Sequence, residues 1–426
     1  MTLCSTGRVR SGAAMSACVL LLGCGGSDSS GEGVASGGVT SGSTPPLTAS
    51  PTLPAPAAPE SPPAVPGPAP TPAAPGPVPA TVAPVSVKTE LVTAGLSSPW
   101  SLAFLPDGSM LVTERPGSLR RISAAGQASA PLDGVPTVVA DGQGGLLDVV
   151  LSPGFASDRT IFFAYSEPAG SGETRTAVAR ARLDETSLSG VTVIYRQTSR
   201  PGATDFGSRL VFGRDGALFV TLSERRDQAF AQDLTTTLGK VVRILPDGAI
   251  PADNPVFPQA GAVPGIWSYG HRNPQGAALN PVTGELWISE HGPKGGDEIN
   301  RVLAGRNYGW PRITYGRDYD SGEPVGEGTT AADVEPPLHY WVPISVAPAG
   351  IAFYTGDKLP GWQASLLVAT LAGESLIRLA LNGDVVVAET RHLQSLGERI
   401  RDIRQGPDGF PYLLTDSGRL MRVVPE

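Results

Sequence analysis

Five short polar clusters, each set among glycines or prolines, carry the side chains of this sequence that could do chemistry. They are Gly142-Gln143-Gly144-Gly145-Leu146-Leu147-Asp148, Asp205-Phe206-Gly207-Ser208-Arg209, His271-Arg272-Asn273-Pro274-Gln275-Gly276, Glu290-His291-Gly292-Pro293-Lys294-Gly295-Gly296-Asp297-Glu298 and Arg399-Ile400-Arg401-Asp402. Arginines beside neutral amides suit a planar polyanion, because the guanidinium fork meets a carboxylate with two parallel hydrogen bonds. A Gly-Pro carbonyl pair next to Asp297 and Glu298 suits a hard cation such as Ca²⁺, which takes oxygen ligands. Any one cluster taken alone reads as turn chemistry or as salt bridging between neighbouring elements; five together point to a shared site. Other chemistries lack their signatures. There is no Gly-x-Ser-x-Gly elbow, no P-loop and no His-Glu-x-x-His. His271, His291, His339 and His392 are too scattered for a local zinc motif. Gly142 to Gly145 follow no βαβ pattern, which weakens a dinucleotide reading.

The elements that must position these clusters recur. Ser101 to Glu114 reads as a short apolar strand, a Pro-Asp-Gly turn and a second strand. The pattern returns in Arg209 to Glu224, Gly276 to Glu290 and Asp402 to Thr415, and more loosely in Leu147 to Tyr165 and Gly350 to Thr370. Apolar runs broken by Asp-Gly or Pro-Gly turns are hairpins. Six copies at a spacing of roughly 55 residues fit the blades of a propeller. The expected fold is all-β, a six-bladed β-propeller of four-stranded antiparallel blades, with a β-sandwich or two small β domains as the alternative. The 53 Gly and 42 Pro agree with dense turns, and no long stretch has helical periodicity. In such a ring, loops from different blades converge at the mouth of the central channel, where the five clusters would meet.

Ahead of the repeats the composition changes twice. Arg8 and Arg10 precede the apolar run Ala13 to Leu22 and then Leu21-Leu22-Gly23-Cys24, which reads as an export signal over residues 1–23. The run is shorter than the roughly 20 apolar residues of a membrane span. Leu-Leu-Gly-Cys resembles a bacterial lipobox, so Cys24 is expected to become a lipidated N-terminus, anchoring an exported periplasmic or cell-envelope protein, expected at the outer membrane. Cys4, Cys18 and Cys24 are the only cysteines, so the folded part can hold neither a disulfide nor a cysteine metal site. Residues 24–85 are Gly/Ser-rich and then Pro/Ala-rich, with 16 Pro between Pro45 and Pro84. Such a stretch buries too little to offset chain entropy and is expected to be an extended stalk. The folded domain is expected over 86–426. The net charge of −8 argues against nucleic acid or an anionic membrane surface as partner.

The strings "SYGHRNPQG", "EHGPKGGDE", "NYGWP" and "GERIRDIRQGPDG" carry a resemblance to the soluble PQQ-dependent sugar dehydrogenases, in particular the aldose sugar dehydrogenase branch of the glucose/sorbosone dehydrogenase family. It covers essentially residues 90–426. The resemblance implies a six-bladed propeller that oxidises the C1 hydroxyl of aldoses to lactones, with PQQ and Ca²⁺ as cofactors, a small sugar as substrate and a further electron acceptor. It implies that Gln143 contacts PQQ, that Arg272 and Asn273 hold and polarise its quinone end, that Tyr319 lines its pocket and that Arg399 and Arg401 pair with its carboxylates. The carbonyls of Gly292 and Pro293 would ligate the Ca²⁺ on PQQ, and Glu298 with the carbonyl of Tyr308 matches a second calcium site. The family's catalytic base is the His opening His-Phe-Gly-Gly-Arg; this chain has Asp205-Phe206-Gly207-Ser208-Arg209, with Glu224 as the partner carboxylate. A Lys that touches PQQ in some relatives corresponds to Ala372. The substitution at 205 keeps other functions in view: a silent propeller with a PQQ-like pocket, a carbohydrate- or protein-binding propeller, or another propeller activity such as lactone hydrolysis.

Overall fold

The computed structural model describes residues 83–426; the signal, Cys24 and the stretch up to residue 82 lie outside the described residues. The described chain is nearly all antiparallel strand. Its only α-helix is the single turn Phe155–Asp158, and its 3₁₀ turns are Gln228–Ala231 and Gln394–Leu396. No helix among the described residues is long and apolar enough to cross a membrane.

The six strand–turn–strand copies are the two inner strands of six blades. The innermost strands are Pro99–Phe104, Leu146–Leu151, Gly207–Phe212, Pro274–Leu279, Pro348–Tyr354 and Ile400–Gln405. Each pairs with the next strand in sequence. Neighbouring innermost strands touch all the way round, the last against the first, which makes a closed ring about a channel. Five blades have four strands on their main path. In the first blade three regular strands are followed by an irregular outer edge, where Ser129 and Leu132 donate to the carbonyls of Arg121 and Leu119. The sixth blade takes its outer strand from the start of the domain: Val87–Thr93 pairs antiparallel with Leu420–Pro425, so the ring is closed by hydrogen bonds rather than by a covalent link.

The core is divided among the blade interfaces. Leu218, Val220 and Leu222 pack with Phe162 and Val178 of the second blade, while Phe219 on the same strand packs with Ile288 and Val302 of the fourth. Both faces of a blade are therefore buried, which is why the second strands read as nearly continuous apolar runs. Hydroxyl groups latch adjacent blades. Thr113 donates to the carbonyl of Leu147, Thr176 to Phe206, Ser223 to Arg272 and Ser289 to Ala349, at 2.6 to 3.0 Å.

Every innermost strand carries a register shift at its first residues, as between Gly207 and Leu210 and between Ile400 and Asp402. A bulge bends the strand and re-aims its side chains. Because the innermost strands all start at the same end of the channel, the six bulges form a collar there, and the five polar clusters sit on it.

Candidate active site

A cavity of about 240 Å³ opens at this collar. Every blade contributes to its wall: Trp100 and Arg115, then Gln143 and Leu147, Phe206 and Gly207, Gln275 and His291, Ala347 and Leu371, and finally Arg399, Arg401 and Asp416. Three arginines therefore face one carboxylate. Asp416 accepts from Arg399 Nε at 2.9 Å and from Arg401 Nε and Nη2 at 2.9 and 3.1 Å. Beneath the cavity lies a buried charge network. Arg209 stacks on Trp100 at 4.0 Å, donates to the carbonyls of Gln275 and Arg401, and pairs with Asp402 at 2.9 Å and Asp148 at 3.5 Å. Arg404 pairs with the same two carboxylates at 3.2 Å. Leu102, Val150, Phe212, Leu279 and Phe353, with Arg404, line a separate apolar recess of about 490 Å³.

Asp205 and Asn273 form a hydrogen-bonded chain between two cavity-lining glutamines. The backbone N–H of Asp205 donates to Gln143 Oε1 at 2.8 Å. Asn273 Nδ2 donates to Asp205 Oδ1 at 3.0 Å, and Gln275 Nε2 to Asn273 Oδ1 at 2.9 Å. Asp205 is buried and in the left-handed backbone region, at φ 51°, and its Oδ2 lies 3.0 Å from Arg226 Nε. Such strain in a non-glycine residue persists only where the surroundings enforce it. Arg225 does so, by donating to the carbonyls of Thr174, Gly202 and Thr204 and stacking on Phe206 at 3.9 Å.

Arg272 and Glu224 join the same corner. The N–H of Arg272 donates to Glu290 at 2.9 Å, its Nη1 donates to the carbonyl of His291 at 3.1 Å, and its guanidinium sits 5.4 Å from the Trp310 ring. The N–H of Glu224 donates to the carbonyl of Arg272 at 3.0 Å, and its carboxylate accepts from the N–H of Arg226. Burial pushes the Glu224 carboxyl up to about 7; Arg272 opposes that rise and the neighbouring Asp205 charge adds to it. His291 is pushed down to about 3 by burial and then by Arg272, Arg401 and Arg399, so its ring is neutral. Two buried nitrogens of this corner, Arg272 Nε and His291 Nε2, have no hydrogen-bond partner among the described residues.

The expected metal ligands lie on the other side of Arg272. No hydrogen bond reaches the carbonyl oxygens of Gly292, Pro293 or Tyr308 among the described residues, although all three residues are buried. Glu298 and Glu290 share Asn300, whose Nδ2 donates to both at 3.1 and 2.9 Å while its Oδ1 is left without a partner. Burial, with Glu290 beside it, pushes the Glu298 carboxyl up. Two carboxylates and several unmatched oxygens in one enclosure fit a hard cation. Tyr319 stands apart, 55% exposed and outside the cavity wall. Ala372 also lies outside the wall, next to Leu371 within it.

Trp100, Arg115, Leu371 and Asp416 line the cavity although they lie outside the five sequence clusters, and Gln275 and His291 line it as cluster members to which no role was given. A signal for four of them lies in the repeat register. The second strands of four blades end at Glu114, Glu290, Thr370 and Thr415, and the next residue in each is Arg115, His291, Leu371 or Asp416. Equivalent positions in four of the six copies thus supply part of the wall.

Comparison with known proteins agrees with this architecture. Residues 96–422 match the Glucose / Sorbosone dehydrogenase family. The chain is 48% identical over 348 residues to the aldose sugar dehydrogenase YliI of Escherichia coli K12, covering 80% of this chain and 93% of that protein. It superposes on the soluble aldose sugar dehydrogenase of E. coli in its apo form with a TM-score of 0.77 at 46% identity, over 80% of this chain and all 100% of that one. The PQQ-bound aldose sugar dehydrogenase of Streptomyces coelicolor aligns with a TM-score of 0.68 at 30% identity, over 82% of this chain and 100% of that one. The chain belongs to the glucose/sorbosone dehydrogenase family.

Proposed function

We propose that this protein oxidises the C1 hydroxyl of aldose sugars to lactones, with PQQ bound in the collar cavity and Ca²⁺ as its counter-ion. The observation that carries the reading is cationic: Arg115, Arg399 and Arg401 line the cavity, and the buried donor Arg272 Nε lacks a partner among the described residues. Interiors seldom leave buried polar atoms unmatched. A planar tricarboxylate quinone answers both the charge and the flatness of these groups.

Arg399 and Arg401 would hold carboxylates of PQQ, and Gln143, Arg272 and Asn273 its quinone end. The Gly292 and Pro293 carbonyls would hold the Ca²⁺ on PQQ, and Glu298 with the Tyr308 carbonyl a second Ca²⁺. When bound, PQQ supplies the two-electron acceptor for the C1 hydride. The protein's own residues handle the remaining proton. Asp205 accepts it from the C1 hydroxyl, and Arg272 stabilises the negative charge that grows opposite. Glu224 lies close enough that its ionisation and that of Asp205 oppose each other, so the pair holds one negative charge more readily than two.

One observation favours a second reading, a propeller that binds PQQ without turnover: Asp205 Oδ1 already accepts from Asn273, and Oδ2, although it accepts no hydrogen bond, lies 3.0 Å from the Arg226 charge. A calorimetric titration with PQQ in the presence of Ca²⁺ tests the site common to both readings. Replacing Arg399 and Arg401 together by Ala removes two charge-assisted contacts of about 1.5–3 kcal/mol each, so affinity should fall by roughly 100-fold or more. Equal affinity in the variant would make these arginines mere partners of Asp416 and would sink the assignment of the cavity.

A further inference from the structure

Arg225 and Arg226 are adjacent, and both are in the left-handed region, at φ 61° and 65°. Their side chains meet opposite fates. Arg225 is buried; its Nε and Nη2 donate to the carbonyls of Thr204 and Gly202 in the loop that carries Asp205, and its Nη1 to the carbonyl of Thr174 on the neighbouring strand. The side chain of Arg226 is 57% exposed. Its Nε faces Asp205 Oδ2 at 3.0 Å, and its backbone N–H donates to the Glu224 carboxylate. Neither terminal nitrogen of Arg226 hydrogen-bonds to any described residue. Arg226 thus touches both carboxylates that handle the proton while presenting an unused edge of its fork to solvent.

We propose that Arg226 makes the site selective for aldoses bearing an acidic group, with a sugar carboxylate or phosphate docking on its free guanidinium edge. The inference rests on the sugar-oxidation reading above. A guanidinium binds an oxyanion through two parallel N–H donors, and a neutral hydroxyl cannot match that charge. The chemistry is otherwise unchanged: the C1–H bond breaks with its electron pair passing to the quinone, the O–H proton goes to Asp205, the lactone leaves and the acidic group is untouched. The stored backbone strain at 225 and 226 is consistent with a segment held for function rather than for stability.

The test is dye reduction by the PQQ- and Ca²⁺-loaded full chain with glucose, galactose, glucuronate, galacturonate and glucose 6-phosphate. We expect kcat/KM for at least one acidic class to exceed that of its neutral parent by about tenfold or more, the scale of one charge-assisted contact. Preference for the uronates assigns a carboxylate, and preference for the phosphate assigns a phosphosugar. Arg226→Gln should bring the acidic-to-neutral ratio to about one, mainly through KM for the acidic sugar, and Arg226→Lys should restore part of it. Equal kcat/KM for neutral and acidic sugars in the parent, or an unchanged ratio in Arg226→Gln, overturns the proposal. If no sugar is oxidised although PQQ binds, the oxidation reading has failed separately, and calorimetry with glucuronate and glucose 6-phosphate decides the point. Binding that weakens about tenfold in Arg226→Gln supports the anion site. Absence of binding to the parent, or equal binding to the variant, overturns it.

Discussion

At the scale of single residues, the proposed reaction gives the acid–base work to Asp205 and Glu224. A carboxylate at 205 starts as a weaker base than an imidazole, whose ordinary pKa is about 6.5 against about 3.9 for Asp. Asp205→Asn preserves shape and removes the charge, so dye reduction should vanish while PQQ still binds. Asp205→His should hold or raise the rate, with a pH profile that follows an imidazole near about pH 6–7. If both variants reduce dye as the parent does, the proton acceptor is elsewhere. Glu224 adds a stability signature. Its carboxyl is raised from 4.5 to about 7 in the folded protein. Between those values the unfolded chain has released the proton and the folded chain keeps it, so stability falls as pH rises through the window and levels off above it. The loss is on the order of 3 kcal/mol for a buried group. Glu224→Gln should flatten this decline when denaturant midpoints are compared at pH 5 and pH 7.5, and an undiminished slope would place the effect on another group.

At the scale of elements, the inner two strands of every blade were legible because a Pro-Asp-Gly or related turn between two apolar runs has a local cause. The outer strands were not, since Leu188–Arg196 and Val385–His392 are mixed in polarity and owe their place to pairing rather than pattern. The site was legible where chemistry is concentrated in a cluster, as in Arg272 and Asn273. It was opaque where one residue per blade contributes, as with Arg115 and Asp416, which look like ordinary surface charges until the copies are set in register. The loop after Glu224 shows a different limit. Lys240 is fully buried and its Nζ donates to the carbonyls of Phe230, Ala231 and Leu238 at 2.6 to 3.1 Å. Burial pushes it down to about 7, and the Asp233 charge opposes that fall. The ammonium ties the 3₁₀ turn Gln228–Ala231 to the strand Lys240–Ile244. Lys240→Met should cost at least about 2 kcal/mol in a denaturant titration, since buried carbonyls are left unmatched. A change within about 0.5 kcal/mol would show that the tie is dispensable.

For the whole molecule, six blades meet at one collar, and a site assembled from all six can form only when the ring is closed. Closure has two parts. The strand Val87–Thr93 joins the beginning of the domain to its end, and the network of Arg209, Asp148, Asp402 and Arg404 binds the innermost strands of the second, third and sixth blades at the centre. Breaking one partner of such a buried network is costly because the remaining charge is left uncompensated. The central claim is that this cavity carries PQQ-dependent oxidation of aldoses. Its most direct measurement is dye reduction by the purified chain over a panel of aldoses, with and without PQQ and Ca²⁺, with the product identified. The account predicts that reduction requires PQQ and an aldose together and yields the lactone; PQQ that binds without any turnover, or that does not bind at all, would contradict it.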